Sequence, residues 1–182
     1  MIKVIDNFFN KDLLKKIQNH IVTNIYYTPR WLDGKEKTKE NYYGDRFALV
    51  DDPKLTKVFV ENAENKFKIK IKKLNNDSGI DLRNIEYFKP HTDPFKINIL
   101  IMLSGKTSVT NGTVFYHKLP DGAEGKMKDI EQGVPCELDM HVGFRENRAI
   151  MFPSNKIHGP NIEKSKDQSR YTASLFIDDY EE

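Results

Sequence analysis

Residues 85–103 read IEYFKPHTDPFKINILIML, and this stretch decides how the rest of the chain is interpreted. It places His91 and Asp93 between two runs that are rich in the residues of β-strands. Side chains at i and i+2 of a strand point to one face, so we expect the imidazole and the carboxylate to converge while Thr92 points away. A histidine and a carboxylate on one face are two of the three ligands of a non-haem Fe(II) site, which also needs a second histidine. His-x-Asp alone is a weak signal, because such a triplet more often lies in a solvated turn.

Length and composition indicate one globular domain. The chain has 182 residues, of which 31% are charged and 38% hydrophobic, and its formal net charge is +2. We expect a single domain over residues 1–182, with a helical N-terminal part at about 1–80 and a β core at about 81–180. The positive charges are spread along the chain, which argues against nucleic acid as a partner.

Cysteine usage and hydropathy bear on the location of the protein. The single Cys136 excludes an internal disulfide and a cysteine-rich zinc site, and it is typical of a reducing compartment. The N-terminal residues lack the apolar core of a signal peptide, and no run approaches the roughly 18 apolar residues of a membrane span. We therefore expect a cytoplasmic protein without a membrane partner.

Two helices are predicted in the N-terminal part. Asn10 is a suitable N-cap, and apolar residues then recur at helical spacing, so the first helix should span about residues 11–22. Asp52 followed by Pro53 marks the start of a second helix. Its apolar positions step by four: Leu55, Phe59, Ala63, Phe67 and Ile71. The end of this helix is ambiguous, because residues 67–73 also alternate as an exposed edge strand would.

The segment between the two helices and a later polar loop are candidates for substrate specificity. Residues 26–47 include Trp31, Tyr43 and Arg46, which form either a substrate-facing wall or, more often for such residues, part of the cover of the core. Residues 118–133 form a polar loop that contains glycine, of the kind that borders binding sites. We expect specificity to depend on these two segments.

Beyond Gly79 the sequence consists of short runs rich in Ile, Val, Phe and Tyr, separated by Gly, Pro, Asn and Asp. Such a pattern predicts strands. We place them near 84–90, 96–103, 113–118, 136–143, 148–152, 156–162 and 169–177. A series of short strands after two helices predicts a mainly β, α+β domain, a sandwich or jelly roll with the N-terminal helices packed on one sheet.

Three histidines after Asp93 can complete a metal site. His117 ends the run FYH, where a histidine more often caps a strand, and His141 alternates with apolar neighbours and is expected to face solvent. His158 differs, because it follows the strand AIMF and a Pro-Ser-Asn turn and precedes Arg170 by twelve residues. An arginine at the head of an apolar strand needs an anion, and a carboxylate bound through two hydrogen bonds would satisfy it. Pairing with Asp167 or Glu163 is the alternative.

Several motifs together resemble one family. They are HTD at 91–93, INILIMLS at 97–104, NGTVFYH at 111–117, AIMFPSNKIHGP at 149–160 and RYTASLF at 170–176. In this order they resemble the 2-oxoglutarate- and Fe(II)-dependent dioxygenases, in particular the prolyl-4-hydroxylase-like branch. The resemblance implies a double-stranded β-helix, or jelly roll, in which His91, Asp93 and His158 bind iron.

The same resemblance implies a site for 2-oxoglutarate. Arg170 would bind the distal carboxylate of this cosubstrate, assisted by Thr172 on the same strand face. Tyr87 and Asn98 are further candidates for hydrogen bonds to it. The chain departs from the family pattern at Met102, where some relatives have a tyrosine, and at residues 111–112, where a glycine pair is replaced by Asn-Gly.

The activity implied by the resemblance is oxidation of a second substrate. The chain would use Fe(II), 2-oxoglutarate and O2 to hydroxylate an unidentified substrate, releasing succinate and CO2. That substrate is a peptidyl proline, an amino acid or another small molecule. The alternative from another class is a jelly-roll or cupin-like binding module without oxygenase activity. A nucleic-acid demethylase is a weaker alternative, because basic residues do not cluster.

Overall fold

The computed structural model describes residues 1–31, 36–37, 42–83, 90–120, 127–128, 135–161 and 170–182. These residues form two α-helices, α1 (Lys11–Thr23) and α2 (Pro53–Phe67). They also form twelve strands: β1 (Lys3–Ile5), β2 (Thr28–Trp31), β3 (Tyr42–Ala48), β4 (Lys70–Leu74), β5 (Gly79–Arg83), β6 (Ile97–Ser104), β7 (Ser108–Lys118), β8 (Met127–Lys128), β9 (Pro135–Phe144), β10 (Arg148–Pro153), β11 (His158–Asn161) and β12 (Arg170–Glu181).

Both helices begin where their capping residues predict. The Asn10 side chain accepts a hydrogen bond from the backbone N–H of Leu13, and the Asp52 side chain caps α2 in the same way. The second helix ends at Phe67, because Lys68 adopts the left-handed conformation with φ of 58°. Ile71 therefore lies in strand β4 and not on the helix.

The strands form two antiparallel sheets. The larger sheet has the strand order β1-β10-β6-β12-β5-β3-β2, and β4 also pairs with β12. The smaller sheet has the order β11-β7-β9-β8. Strands from the N-terminal part thus join the larger sheet, so the predicted division near residue 80 does not separate helices from sheet.

The larger sheet is covered on both faces. Side chains of Ile97, Ile99 and Ile101 in β6 belong to the core formed with the two helices. The alternate face of the sheet packs against the smaller sheet through a second cluster: Met102, Phe115, Val142, Phe144, Ile150 and Phe152. Burial of each such large side chain stabilises the fold by about 1.5–3 kcal/mol. This double covering explains why β6 reads as an almost continuous apolar run.

Most of the predicted strands are present, with shifted ends. The strand predicted at 156–162 begins only at His158, and the one predicted at 113–118 begins at Ser108. The strand predicted at 84–90 lies almost entirely outside the described residues. None of the helices in the described part of the chain is long and apolar enough to cross a membrane.

Candidate functional site

His91 and His158 are brought together by their own backbones. Each donates its N–H to the carbonyl oxygen of the other at 2.9 Å, in an isolated antiparallel bridge. The two imidazole rings lie 4.5 Å apart between centroids. The expectation that His91 and Asp93 share a face rests on strand spacing, whereas the structure has a single bridge at His91 followed by a bend over residues 94–96. The convergence of the two side chains is as predicted, although the local geometry that produces it differs.

Asp93 completes a compact group of three ligand types. One carboxylate oxygen, Oδ1, lies 3.8 Å from Nε2 of His91, and the other, Oδ2, lies 3.3 Å from Nε2 of His158. One ligand atom from each of the three residues lies within 4.8 Å of the other two. No other group of three His, Cys, Asp or Glu residues with this spacing occurs in the part of the chain that the structure describes. Two imidazoles and one carboxylate form the donor set of a facial Fe(II) site.

The charge state of these residues suits metal binding. Burial alone would raise the pKa of Asp93, but the hydrogen bond with His158, the charges of both histidines and the hydrogen bond from Asn98 outweigh it, so this pKa lies below its usual value. The carboxylate is therefore ionised at neutral pH. The Nδ1 atom of His158 lies 2.9 Å from the carbonyl oxygen of Lys156. Because a carbonyl only accepts, Nδ1 carries a proton, and loss of the Nε2 proton leaves a lone pair there for a metal ion.

Arg170 and Thr172 lie on the face of β12 that packs against the smaller sheet. Arg170 is 7% exposed, and its guanidinium donates to the carbonyl oxygens of Asn161 and Gly112 at 3.5 and 3.3 Å. Thr172 is 3% exposed, and its hydroxyl oxygen has no hydrogen-bond partner among the described residues. A buried cation next to a buried hydroxyl of this kind suits a bound carboxylate. Asp167 and Glu163, the alternative partners of Arg170, lie outside the described residues.

The two other predicted cosubstrate contacts have different outcomes. Tyr87 lies outside the described residues. Asn98 lies in β6 on the face that packs against the smaller sheet. Its amide donates to Oδ2 of Asp93 at 2.5 Å and accepts from the hydroxyl of Ser154 at 2.7 Å. Sequence reasoning missed Ser154. Its position in the turn just before His158 is the one signal that could have identified it.

The remaining candidate histidines are not part of this group. His117 is exposed and lies 3.0 Å from the carboxylate of Glu137. His141 is partly exposed, but its Nε2 atom is buried and has no hydrogen-bond partner in the described part of the chain. Burial lowers the pKa of His141, and the charge of Arg170 lowers it further. The predicted alternation of β9 holds for Met140 and Val142, which pack between the two sheets. It fails at Leu138, which lies beyond a register shift and is 62% exposed.

Arg46 forms an ion pair on the face of the larger sheet that also carries Thr172. Its Nε and Nη2 atoms donate to the two carboxylate oxygens of Asp81 at 2.6 and 2.7 Å, and the two side chains are 10% and 5% exposed. Gly79 provides the space, since a Cβ there would lie 2.8 Å from Cδ of Arg46. Arg46 therefore joins β3 to β5, which favours the structural alternative over the substrate-facing wall. The Tyr43 side chain lies outside the described residues.

No family model and no curated protein sequence matches the chain. Solved structures do match. The epimerase SnoN, in its complex with Fe3+, alpha ketoglutarate and nogalamycin RO, is similar with a TM-score of 0.61 at 11% identity, over 97% of this chain and 78% of that chain. A prolyl hydroxylase from Trichoplax adhaerens, in complex with a hypoxia inducible factor oxygen degradation domain peptide fragment, has a TM-score of 0.63 at 9% identity, over 97% and 83%. The non-heme alpha ketoglutarate dependent carbocyclase SnoK has a TM-score of 0.59 at 10% identity, over 98% and 80%.

These similarities cover almost the whole chain, although the sequence identities are low. The chain therefore has the jelly-roll fold of the 2-oxoglutarate- and Fe(II)-dependent oxygenases, and the predicted fold class is confirmed. The proteins of this fold that are named above catalyse different reactions, so the fold leaves the reaction of this chain to be argued from its own residues.

Proposed function

We propose that the chain is an Fe(II)- and 2-oxoglutarate-dependent dioxygenase. One observation carries the proposal: the neighbouring His91 and Asp93 are joined by His158, from a distant part of the sequence, so that two imidazoles and one carboxylate lie within 4.8 Å of one another. They do so on the fold that the 2-oxoglutarate-dependent enzymes share. The proposed metal ligands are these three residues.

The metal ion, when bound, would supply the activation of O2 and the oxidation of 2-oxoglutarate to succinate and CO2. The chain supplies the geometry. Arg170 and Thr172 bind the distal carboxylate of 2-oxoglutarate in this proposal, and Tyr87 is a further contact to it. The ring of Phe152 packs edge-on against His158 with centroids 4.7 Å apart, and it excludes water from one side of the ligand.

The proposed reaction is hydroxylation of a peptidyl proline, an amino acid or another small molecule. Support for the prolyl-4-hydroxylase-like branch comes from the order of motifs along the chain and from the similarity to the Trichoplax adhaerens prolyl hydroxylase. The epimerase and the carbocyclase of the same fold show that other outcomes of the same oxidation exist. Mass analysis of the product separates them, because hydroxylation adds one oxygen atom, whereas epimerisation adds none.

The partners in this proposal are 2-oxoglutarate, O2 and the substrate to be oxidised. It includes neither a membrane nor nucleic acid. A cytoplasmic location is part of the proposal and follows from the single cysteine of the chain.

Release of succinate tests the proposal directly. Purified protein with Fe(II), 2-oxoglutarate and O2 is screened against a set of amino acids, small metabolites and proline-containing peptides. We expect succinate release that depends on Fe(II) and is abolished in His91→Ala, Asp93→Ala and His158→Ala, with the fold retained because the apolar core lies elsewhere. His117→Ala is the matched control, since His117 is exposed and pairs with Glu137.

The outcomes distinguish the enzyme from a binding module. His141→Ala should also retain activity. If His158→Ala stayed active and His141→Ala did not, the assigned distal ligand would be wrong. Failure of the wild-type protein to bind a divalent metal ion would refute the proposed function and favour a jelly-roll binding module.

A further inference from the structure

A chain of two buried polar residues ends at the carboxylate of Asp93. Asn98 is 3% exposed and Ser154 is fully buried. The Ser154 hydroxyl donates to Oδ1 of Asn98 at 2.7 Å, and Nδ2 of Asn98 donates to Oδ2 of Asp93 at 2.5 Å. Buried polar groups in an apolar sheet interface are costly unless they are satisfied, and these three satisfy one another.

The direction of these hydrogen bonds follows from chemistry. An ionised carboxylate only accepts, so the atom of Asn98 that faces Asp93 must be the NH2 group. The carbonyl oxygen of the amide then faces Ser154, whose hydroxyl must donate. The orientation of the amide is therefore fixed at both ends.

Asn98 also has little room to move. In the larger sheet it pairs with Phe152 of β10 on one side and with Phe176 of β12 on the other. Paired residues of neighbouring antiparallel strands point to the same face, so the amide lies between two aromatic side chains. A rotation away from Asp93 would have to displace one of them.

Ser154 holds Asp93 by its backbone as well. The carbonyl oxygen of Ser154 accepts from the N–H of Asp93 at 2.9 Å, while its own N–H donates to the carbonyl oxygen of Lys96 at 3.2 Å. The turn that contains Ser154 continues to Lys156, whose carbonyl oxygen orients the ring of His158. One short turn between β10 and β11 thus orients two of the three proposed metal ligands.

We infer that Asn98 and Ser154 are positioning residues that hold the carboxylate of Asp93 in the orientation required for metal binding. The inference rests on the proposed function. It gives Asn98 a role different from the direct contact with 2-oxoglutarate that the family resemblance implies. Asn98 holds Oδ2 of Asp93, so that Oδ1, on the side of His91, is presented to the metal ion.

Binding of Co(II) to the full chain, without 2-oxoglutarate, tests the inference. Asn98→Leu keeps the volume of the side chain and removes the donor. We expect it to weaken Co(II) binding by about tenfold to a hundredfold and to change the visible absorption of the bound Co(II). Ser154→Ala should act in the same direction with a smaller effect. Because Ser154 acts through Asn98, Ser154→Ala should weaken Co(II) binding less in the Asn98→Leu background than in the wild-type protein.

Two matched controls separate positioning from general destabilisation. Asn147 is a buried asparagine whose amide bonds to the backbone of Phe9 in both directions, and Ser78 is a buried serine bonded to the backbone of Phe176. Asn147→Ala and Ser78→Ala should lower the free energy of unfolding without changing the affinity for Co(II) or its absorption.

A second titration, of 2-oxoglutarate into the Co(II) protein, separates the two roles of Asn98. Unchanged Co(II) affinity and absorption in Asn98→Leu would overturn the inference, and a loss confined to 2-oxoglutarate affinity would identify Asn98 as a cosubstrate contact instead. Absence of Co(II) binding by the wild-type protein is a different result, because it would overturn the proposed function itself.

Discussion

Replacement of Arg170 by lysine is expected to weaken the binding of 2-oxoglutarate although the positive charge is kept. A guanidinium can make two parallel hydrogen bonds to one carboxylate, whereas an ammonium group is a point-like donor that cannot reproduce this geometry. In the structure the two donors Nη1 and Nη2 contact carbonyl oxygens at 3.5 and 3.3 Å. Both distances exceed the usual range of about 2.7–3.2 Å, so these contacts can yield to shorter charge-assisted bonds when a carboxylate binds.

The magnitude follows from the loss of one such bond. A hydrogen bond to a charged group contributes about 1.5–3 kcal/mol, which corresponds to about a tenfold to hundredfold change in affinity. Arg170 is only 7% exposed, so water has little access to replace the lost bond, and we expect the upper part of this range. Arg170→Ala should cost more than Arg170→Lys. The affinity for Fe(II) should stay nearly unchanged in both variants, because the guanidinium is not a ligand.

An anaerobic titration of 2-oxoglutarate into the Fe(II) protein, followed by charge-transfer absorbance, measures this affinity. Arg148→Lys is the control, because Arg148 also makes paired bonds to one carboxylate, that of Asp6, but outside the site. It should leave the affinity for 2-oxoglutarate unchanged. Equal affinities of wild type and Arg170→Ala would refute the cosubstrate role, and a loss of stability alone would favour pairing with Asp167 or Glu163.

Two further predictions concern stability. Asp81→Ala should lower the free energy of unfolding by about 3–5 kcal/mol, because it leaves the guanidinium of Arg46, in a side chain 10% exposed, without its carboxylate partner. Asp179→Ala removes one partner of an exposed ion pair and should lower the free energy of unfolding far less. Urea titrations measure both losses, and equal losses would contradict the reasoning. The hydrogen bond from the Leu55 N–H holds the pKa of Asp52 below its usual 3.8. The ionised Asp52 carboxylate therefore stabilises the folded state above pH 3.8, and this stabilisation is lost as the pH falls through the folded-state pKa. Asp52→Asn keeps the N-cap without the charge, so the stability difference from wild type should shrink between about pH 5 and pH 2, and a constant difference would speak against this role.

Local rules were sufficient for the helix starts and for most strands. Asn10 and Asp52 cap their helices as their residue types predict, because capping depends only on the next three residues. The end of α2 was ambiguous because Lys68, and not a glycine, adopts the left-handed conformation there. A lysine carries no sequence signal for that conformation.

The residues of the candidate site could be predicted where their chemistry is specific. They could not be predicted where long-range packing determines which side chains meet. A histidine, an aspartate and a second histidine can be recognised by type and order. Asn98 could be assigned to a strand face, but its partner Ser154 lies 56 residues away, and no local pattern joins them. The exposure of Leu138 follows from a register shift between β7 and β9, which strand alternation does not encode.

The position of β12 in the larger sheet has a consequence for biosynthesis. This strand, the last of those in the described residues, pairs with β4, β5 and β6 and so joins the two halves of the sheet. Before β12 has been synthesised, the edges of β5 and β6 that will pair with it have no partner strand, and the apolar faces of the sheet are incompletely covered. The larger sheet, and with it the site formed by Arg170 and Thr172, can be completed only after residue 181 has left the ribosome. The nascent chain should therefore depend on protection from aggregation until β12 has emerged, and the folding step that adds β12 should be slow because it closes long-range strand pairs.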